Sequence, residues 1–256
     1  MLRTFFAAKL AKLGYPSQNI HFALEYRLGD GVAFFGHIKR EHVRRLAGRL
    51  LCEQGRRDFS SNRAVIRKAI KLGASFEIMK LDMKGVDYAN SMYVKCHLPA
   101  GMVLSPYEKS LIEVFTGFLR ADVIATSGVL TTLGYALLAA SPEEEILARV
   151  ISRGDCMVLV KELPDPAFNP YETFGEEDSK RIVEHLALGV YRHYGLKLEI
   201  RAVGGVLLGE ATLPGIIEDL RDEGLRSAHR GKLRSLMHEA SIQARGEIAK
   251  SRLKAA

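Results

Sequence analysis

Apolar residues recur at three- and four-residue spacing in five segments of the chain, the pattern of helices with one buried face. These predicted helices cover residues 1–15, 39–53, 62–72, 178–194 and the C-terminal tail. In the tail, one apolar stripe is formed by Leu233, Leu236, Met237, Ala240, Ala244 and Ile248. Residues 111–139 are the most apolar long stretch and lack proline, so we expect a buried helix there, or two with a break at Gly128 or Gly134.

Between these helices, segments rich in β-branched and aromatic residues flank turns that contain glycine, which is typical of β-hairpins. The predicted hairpins pair 21–26 with 32–35, 75–82 with 88–98, 145–150 with 157–161, and 196–203 with 206–208. The order of elements predicts an α+β fold, with antiparallel hairpins packed against helices around the long apolar helix. A helix–hairpin–helix extension follows it at the C-terminus.

Three regions are expected from this order. Residues 1–35 form an N-terminal helix and hairpin, residues 36–162 an α+β domain, and residues 163–256 a C-terminal extension with a basic helical tail. The proline-containing stretch 163–175 is interpreted as a linker or long surface loop.

The composition is that of a globular protein, because 47% of the 256 residues are hydrophobic and 26% are charged. The uncharged stretch 123–140 is diluted by threonine, serine and glycine, which favours a buried helix over a membrane span. Three scattered cysteines argue against a disulfide framework and for a reducing compartment, so we expect a cytoplasmic protein.

Charge is distributed unevenly along the chain. Residues 1–71 hold 15 Lys/Arg against 5 Asp/Glu, residues 221–256 hold 9 against 4, and the segment between them is acidic. The basic ends are expected to contact nucleic acid or another anionic surface, to pair with the acidic middle, or to be solvated helix faces. Candidate phosphate-binding residues are Arg44, Arg45, Arg49, Arg56, Arg57, Arg63, Arg67, Lys232, Arg234, Arg245, Lys250 and Arg252. The same layout would suit a homo-oligomer or a protein partner.

Motifs with a well-defined chemistry are absent from the sequence: it has no phosphate-binding loop, dinucleotide-binding glycine triplet, nucleophile elbow or paired Cys-x-x-Cys. Cys96 and His97 are neighbours on a predicted strand and should leave it on opposite faces, which weakens a shared metal site. A metal or tetrapyrrole site would need Pro99 to re-aim His97, or Cys156 to lie beside Cys96. No cofactor is identified by the sequence.

Residues 36–162 resemble the 4-vinyl reductase domain, a small-molecule-binding module related in fold to subunits of the TRAPP vesicle-tethering complexes. The resemblance rests on the element order and on residues 46–51, 54–55, 72–77, 134–138 and 145–160. The family places one cysteine before the Gly-Asp pair of its closing hairpin and another after it. Here Cys156 directly follows Asp155, and Ala148 or Val150 stands near the place of the first cysteine. The closing pattern is also similar to that of the 2-aminothiazoline-carboxylate hydrolase group.

The resemblance implies a cytoplasmic ligand-binding, sensory or regulatory protein without catalytic chemistry of its own. A hydrophobic small molecule would lie between the central helix and the sheet, in a mostly apolar pocket. The candidate pocket residues are Phe115, Phe118, Tyr135, Cys96 and Cys156. Two alternatives stay open: a nucleic-acid-binding protein that uses the basic ends, and a cysteine-dependent hydrolase that uses Cys156 or Cys96.

Overall fold

A computed structural model describes residues 1–27, 29–53, 59–81, 88, 91–221 and 226–255, without the side chains of 53, 59, 226–230 and 251–255. Over these residues the fold is α+β, as predicted, with seven helices and two four-stranded antiparallel sheets. The elements are α1 (Leu2–Leu13), β1 (Asn19–Ala23), β2 (Gly31–Ile38), α2 (Arg40–Glu53), α3 (Phe59–Lys71), β3 (Ser75–Lys80), β4 (Met92–His97), α4 (Pro106–Ala139), β5 (Ile146–Arg153), β6 (Cys156–Leu163), α5 (Pro170–Thr173), α6 (Glu176–Ala187), β7 (Tyr191–Ala202), β8 (Leu207–Asp219) and α7 (Arg226–Ala255).

The chain divides into two compact units, a first unit of residues 2–135 and a second unit of residues 136–256. The division falls near the end of α4, whereas the sequence analysis placed limits after residues 35 and 162. In the second unit β6 pairs with β7, so one sheet runs across the predicted limit at 162.

The first unit is built on a sheet of order β1-β2-β3-β4. Its buried face carries Phe34, Phe76 and Ile78, and the ring of Phe76 packs edge-on against Phe115 of α4 with centroids 5.3 Å apart. Polar contacts join the same helix to β2, where Thr131 Oγ1 accepts a hydrogen bond of 3.0 Å from the amide of Val32. The sheet and α4 therefore share one core.

Helix α4 is long, apolar and continuous, without a break at Gly128 or Gly134. Its buried residues follow helical spacing, and they include Ile112, Phe115, Leu119, Val123, Leu130 and Leu137. The opposite face is exposed and carries small residues such as Ala121, Ala125 and Gly128, so the expected burial holds for one face only. Among the described helices α4 alone is long and apolar enough to cross a membrane, a criterion that core helices also meet.

The second unit is a sheet of order β5-β6-β7-β8 covered on one face by α7. The predicted stripe of α7 supplies this contact, because Leu236, Ala240 and Ala244 are buried against the sheet. The prediction is wrong for Ile248, which is 36% exposed.

The prediction of a helix over residues 178–194 is also wrong for its second half. Helix α6 ends at Ala187, Gly189 adopts a φ of +67°, and strand β7 begins at Tyr191. A left-handed residue cannot continue a helix, and the aromatic residues that follow fit a strand. His193 therefore lies on a strand, and the hairpin β7–β8 is longer than predicted. The loop prediction for 163–175 missed the short helix α5.

Candidate functional site

A groove of about 380 Å³ runs between the edge strand β4 and the first turns of α4, and we call it the β4–α4 groove. It is lined by Val94, Lys95, Cys96, Leu98, Lys109, Ile112, Glu113 and Thr116. On β4, Val94 and Cys96 are two residues apart, so their side chains lie on the same face of the strand, toward the helices. The residues from α4 are spaced by three or four and so share one flank of the helix.

The walls of the β4–α4 groove are apolar and its rim is charged. Val94 and Ile112 are buried, and Leu98 is exposed at the end of β4. Lys109 and Glu113 are exposed at the rim, whereas Lys95 is exposed on the other face of β4. Neither lysine forms an ion pair with another described residue. An apolar groove with an unpaired cation at its edge suits a molecule that has an apolar body and an anionic group.

Cys96 contributes its thiol to the β4–α4 groove. Burial raises the pKa of this thiol to about 11, because a thiolate is poorly solvated there. At neutral pH Cys96 is thus a protonated, weakly polar side chain. A nucleophilic cysteine needs a lowered pKa, so the raised pKa of Cys96 gives no support to a hydrolase that uses it.

His97 leaves β4 on the opposite face from Cys96, as the alternation predicts. Its Nε2 lies 3.0 Å from one carboxylate oxygen of Glu77, and Nε2 of His37 lies 3.6 Å from the other. These three side chains form a row across neighbouring strands on the exposed face of the sheet. Within the described ranges, no group of three or more His, Cys, Asp or Glu side chains is arranged to hold a metal ion.

The other predicted pocket residues lie outside the groove lining. Phe115 is fully buried in the core of the first unit, and Phe118 is half-buried on α4. Tyr135 donates a hydrogen bond of 2.6 Å to Asp30. Cys156 begins β6 in the second unit. Cys96 is thus the one predicted pocket residue that lines the groove.

The groove residues that the sequence analysis missed carried a detectable signal. Strand alternation places Val94 on the same face as Cys96, and helical spacing places Ile112 and Thr116 on one flank of α4. Neither pattern states which strand lies beside which flank of the helix. That pairing depends on tertiary contacts such as Phe76 against Phe115.

The hydrogen bond of Tyr135 holds a turn of the first unit in place. The Asp30 carboxylate also accepts hydrogen bonds from the amides of Glu25 and Arg27, and the hydrogen bond from Tyr135 is the main cause of its lowered pKa. The ring of Tyr26 packs on that of Tyr135 with centroids 4.3 Å apart. Tyr135 therefore has a structural role here.

The candidate phosphate-binding arginines of the first unit differ in their surroundings. Arg44, Arg45 and Arg67 are exposed on α2 and α3, and Arg63 is half-buried. Arg49 makes two hydrogen bonds, of 2.9 and 2.5 Å, to Asp122 and is occupied by that contact. Arg56 and Arg57 lie outside the described residues.

In the second unit, Lys232, Arg234 and Arg245 are exposed on α7. Lys250 donates a hydrogen bond of 2.7 Å to Glu247. The side chain of Arg252 lies outside the described part of the chain.

Comparisons with known proteins do not indicate a function, so the β4–α4 groove is the main evidence for one. No protein-family model matches the chain, and no curated protein or solved structure matches it either. The resemblance to the 4-vinyl reductase domain therefore stays a prediction.

Proposed function

We propose that the protein binds an amphipathic small molecule in the β4–α4 groove, as a ligand-binding or sensory protein. The observation that carries this proposal is an apolar groove between the central helix and the sheet, which is where the sequence analysis expected the ligand. Its volume of about 380 Å³ lies within the range of small-molecule sites. The apolar body of the ligand lies on Val94, Ile112 and Leu98.

The rim of the groove defines the polar part of the ligand. Lys109 extends from α4, so an anionic group at the mouth of the groove meets a cation from that wall. Glu113 is exposed on the same flank of α4 and disfavours a second negative charge. A molecule with one carboxylate on an aliphatic body fits this distribution of charge.

Decanoate is a suitable probe, and Cys96 reports its position. Saturating decanoate should slow the alkylation of Cys96 several-fold in the full chain, measured by peptide mass spectrometry under mildly alkaline conditions. Cys52 is exposed and should react at an unchanged rate, so it serves as an internal control. Equal alkylation of Cys96 with and without decanoate would contradict the proposal.

Two substitutions test the groove directly. Thr116→Trp fills the groove from the surface of α4 and should abolish decanoate binding in isothermal titration calorimetry, with the far-UV circular dichroism spectrum unchanged. Lys109→Glu should weaken binding by roughly 3- to 10-fold, as expected for a partly exposed ion pair. Lys71→Glu makes the same charge change on α3 outside the groove and should have no effect. Wild-type affinity in the Thr116→Trp variant would refute the assignment.

Nucleic-acid binding is a second proposal, supported by the exposure of Arg44, Arg45 and Arg67 on α2 and α3. The test is fluorescence anisotropy of a labelled single-stranded oligonucleotide between about 50 and 200 mM salt, where phosphate contacts lose affinity steeply. The double variant Arg44→Gln/Arg67→Gln should lower the salt slope by roughly two. No anisotropy change at the lower salt concentration would exclude this second function.

A further inference from the structure

Strand β5 is the outer strand of the second sheet, and its exposure is unusual. In the part of the chain that the structure describes, it pairs with β6 on one side and with no strand on the other. Seven of its eight residues are exposed, including Ile146 at 48%, Leu147 at 54% and Val150 at 50%. A long apolar edge with free backbone N–H and C=O groups is a template for another strand.

The charges around β5 indicate which strand pairs with its free edge. Glu143, Glu144 and Glu145 immediately precede the strand, Arg149 lies at its middle and Arg153 is its last residue. All five residues are exposed. If two copies of β5 pair antiparallel, the acidic start of one copy lies opposite the basic end of the other. A parallel pair would place like charges together, so the edge is self-complementary only in a two-fold arrangement.

The apolar side chains of β5 are compatible with the same two-fold arrangement. The strand has an irregularity between Leu147 and Arg149, which adds one residue to it. Because of this extra residue, Ile146 and Ile151 lie opposite Glu162 and Val158 on one face of the sheet, and Leu147 and Val150 share the other face. A two-fold axis through the irregularity places Leu147 of one copy beside Val150 of the second copy, and Ile146 beside Ile151.

We infer that β5 pairs antiparallel with β5 of a second copy of this chain, so that two sheets join into one of eight strands. Backbone hydrogen bonds along the strands give the affinity, and the opposed acidic and basic ends set the direction and register. The inference does not depend on the ligand of the β4–α4 groove.

Charge reversal with rescue tests this inference in the full chain. The variant Arg153→Glu makes both ends of β5 acidic, and Glu143→Arg/Glu144→Arg makes both ends basic. Each variant alone should dimerise at least about 10-fold more weakly than the wild type in sedimentation equilibrium, because like charges then face each other across the axis. An equimolar mixture should form heterodimers with close to wild-type affinity, since opposite charges again lie opposite each other.

The matched control is Glu177→Arg, which reverses an exposed charge on α6 and should leave dimerisation unchanged. Rescue in the mixture also shows that both variants are folded. A wild type that stays monomeric at hundreds of micromolar overturns the inference. A dimer that persists in both charge-reversed variants overturns it as well, because the contact then lies elsewhere.

Discussion

Replacing Gly209 with alanine should loosen the packing of α7 on the second sheet. Gly209 lies on β8 directly under the helix, and a Cβ atom there would stand 2.3 Å from the carbonyl oxygen of Ala240 and 2.9 Å from the amide nitrogen of Ala244. Both are backbone atoms and cannot rotate away. Because real Cβ contacts are not shorter than 3.0 Å, α7 or β8 must move by at least the 0.7 Å between 2.3 and 3.0 Å.

This movement weakens the contact of Leu236, Ala240 and Ala244 with the sheet. Overpacked cores lose about 1 to 3 kcal/mol, and we expect about 2 kcal/mol here because the helix lies on one side of the sheet and can shift. For a chain of this size that loss lowers Tm by roughly 4 to 8 °C. Urea denaturation followed by circular dichroism measures the free energy of unfolding, and hydrogen exchange of α7 measures its local loosening.

Gly246 provides the control, because it lies on the same helix with open space around it. Gly246→Ala should be neutral or should stabilise the protein by up to about 1 kcal/mol through helix propensity. A Gly209→Ala variant with the wild-type denaturation midpoint would refute the close approach of α7 to β8. Equal destabilisation of both variants would refute it too.

Three further predictions concern charged and titratable groups. Burial by itself would raise the pKa of Glu199, but hydrogen bonds from Lys161, Arg201 and Lys197 hold this pKa at about 2. The ionised carboxylate therefore contributes about 3 kcal/mol of stability at neutral pH, which the wild type loses as pH falls from about 4.5 toward 2. Glu199→Gln should remove this contribution. Burial lowers the pKa of His193 below 6.5, and the charge of Asp165 offsets part of this shift. Because the unfolded chain then binds the proton more tightly, the stability of the protein should fall as pH drops below about 6.5. Thermal melts of His193→Phe should show a shallower fall. Asp122→Asn weakens the paired hydrogen bonds of Arg49 and should cost about 1 to 3 kcal/mol in urea denaturation, whereas Asp178→Asn, at an exposed pair on α6, should cost less than 1 kcal/mol.

Local patterns in the sequence determined the elements whose signals are strong and continuous. The apolar spacing of 111–139 predicted α4, and β-forming residues on either side of glycine turns predicted four hairpins, all of which are present. The alternation of a strand placed Cys96 and His97 on opposite faces, and the structure confirms it. Periodicity is a property of neighbouring residues, so one sequence is enough to read it.

Tertiary structure decided what these elements do together. The helical spacing of apolar residues in 178–194 continues past Gly189, but the residues after Gly189 form a strand because they pair with β6 and β8. The apolar composition of α4 did not reveal that one face stays exposed, and nothing local placed its flank beside Val94 to form the β4–α4 groove. Lys161, Lys197 and Arg201 surround Glu199 only because β6 and β7 are in register. These features depend on contacts between residues far apart in the chain, and local periodicity does not encode those contacts.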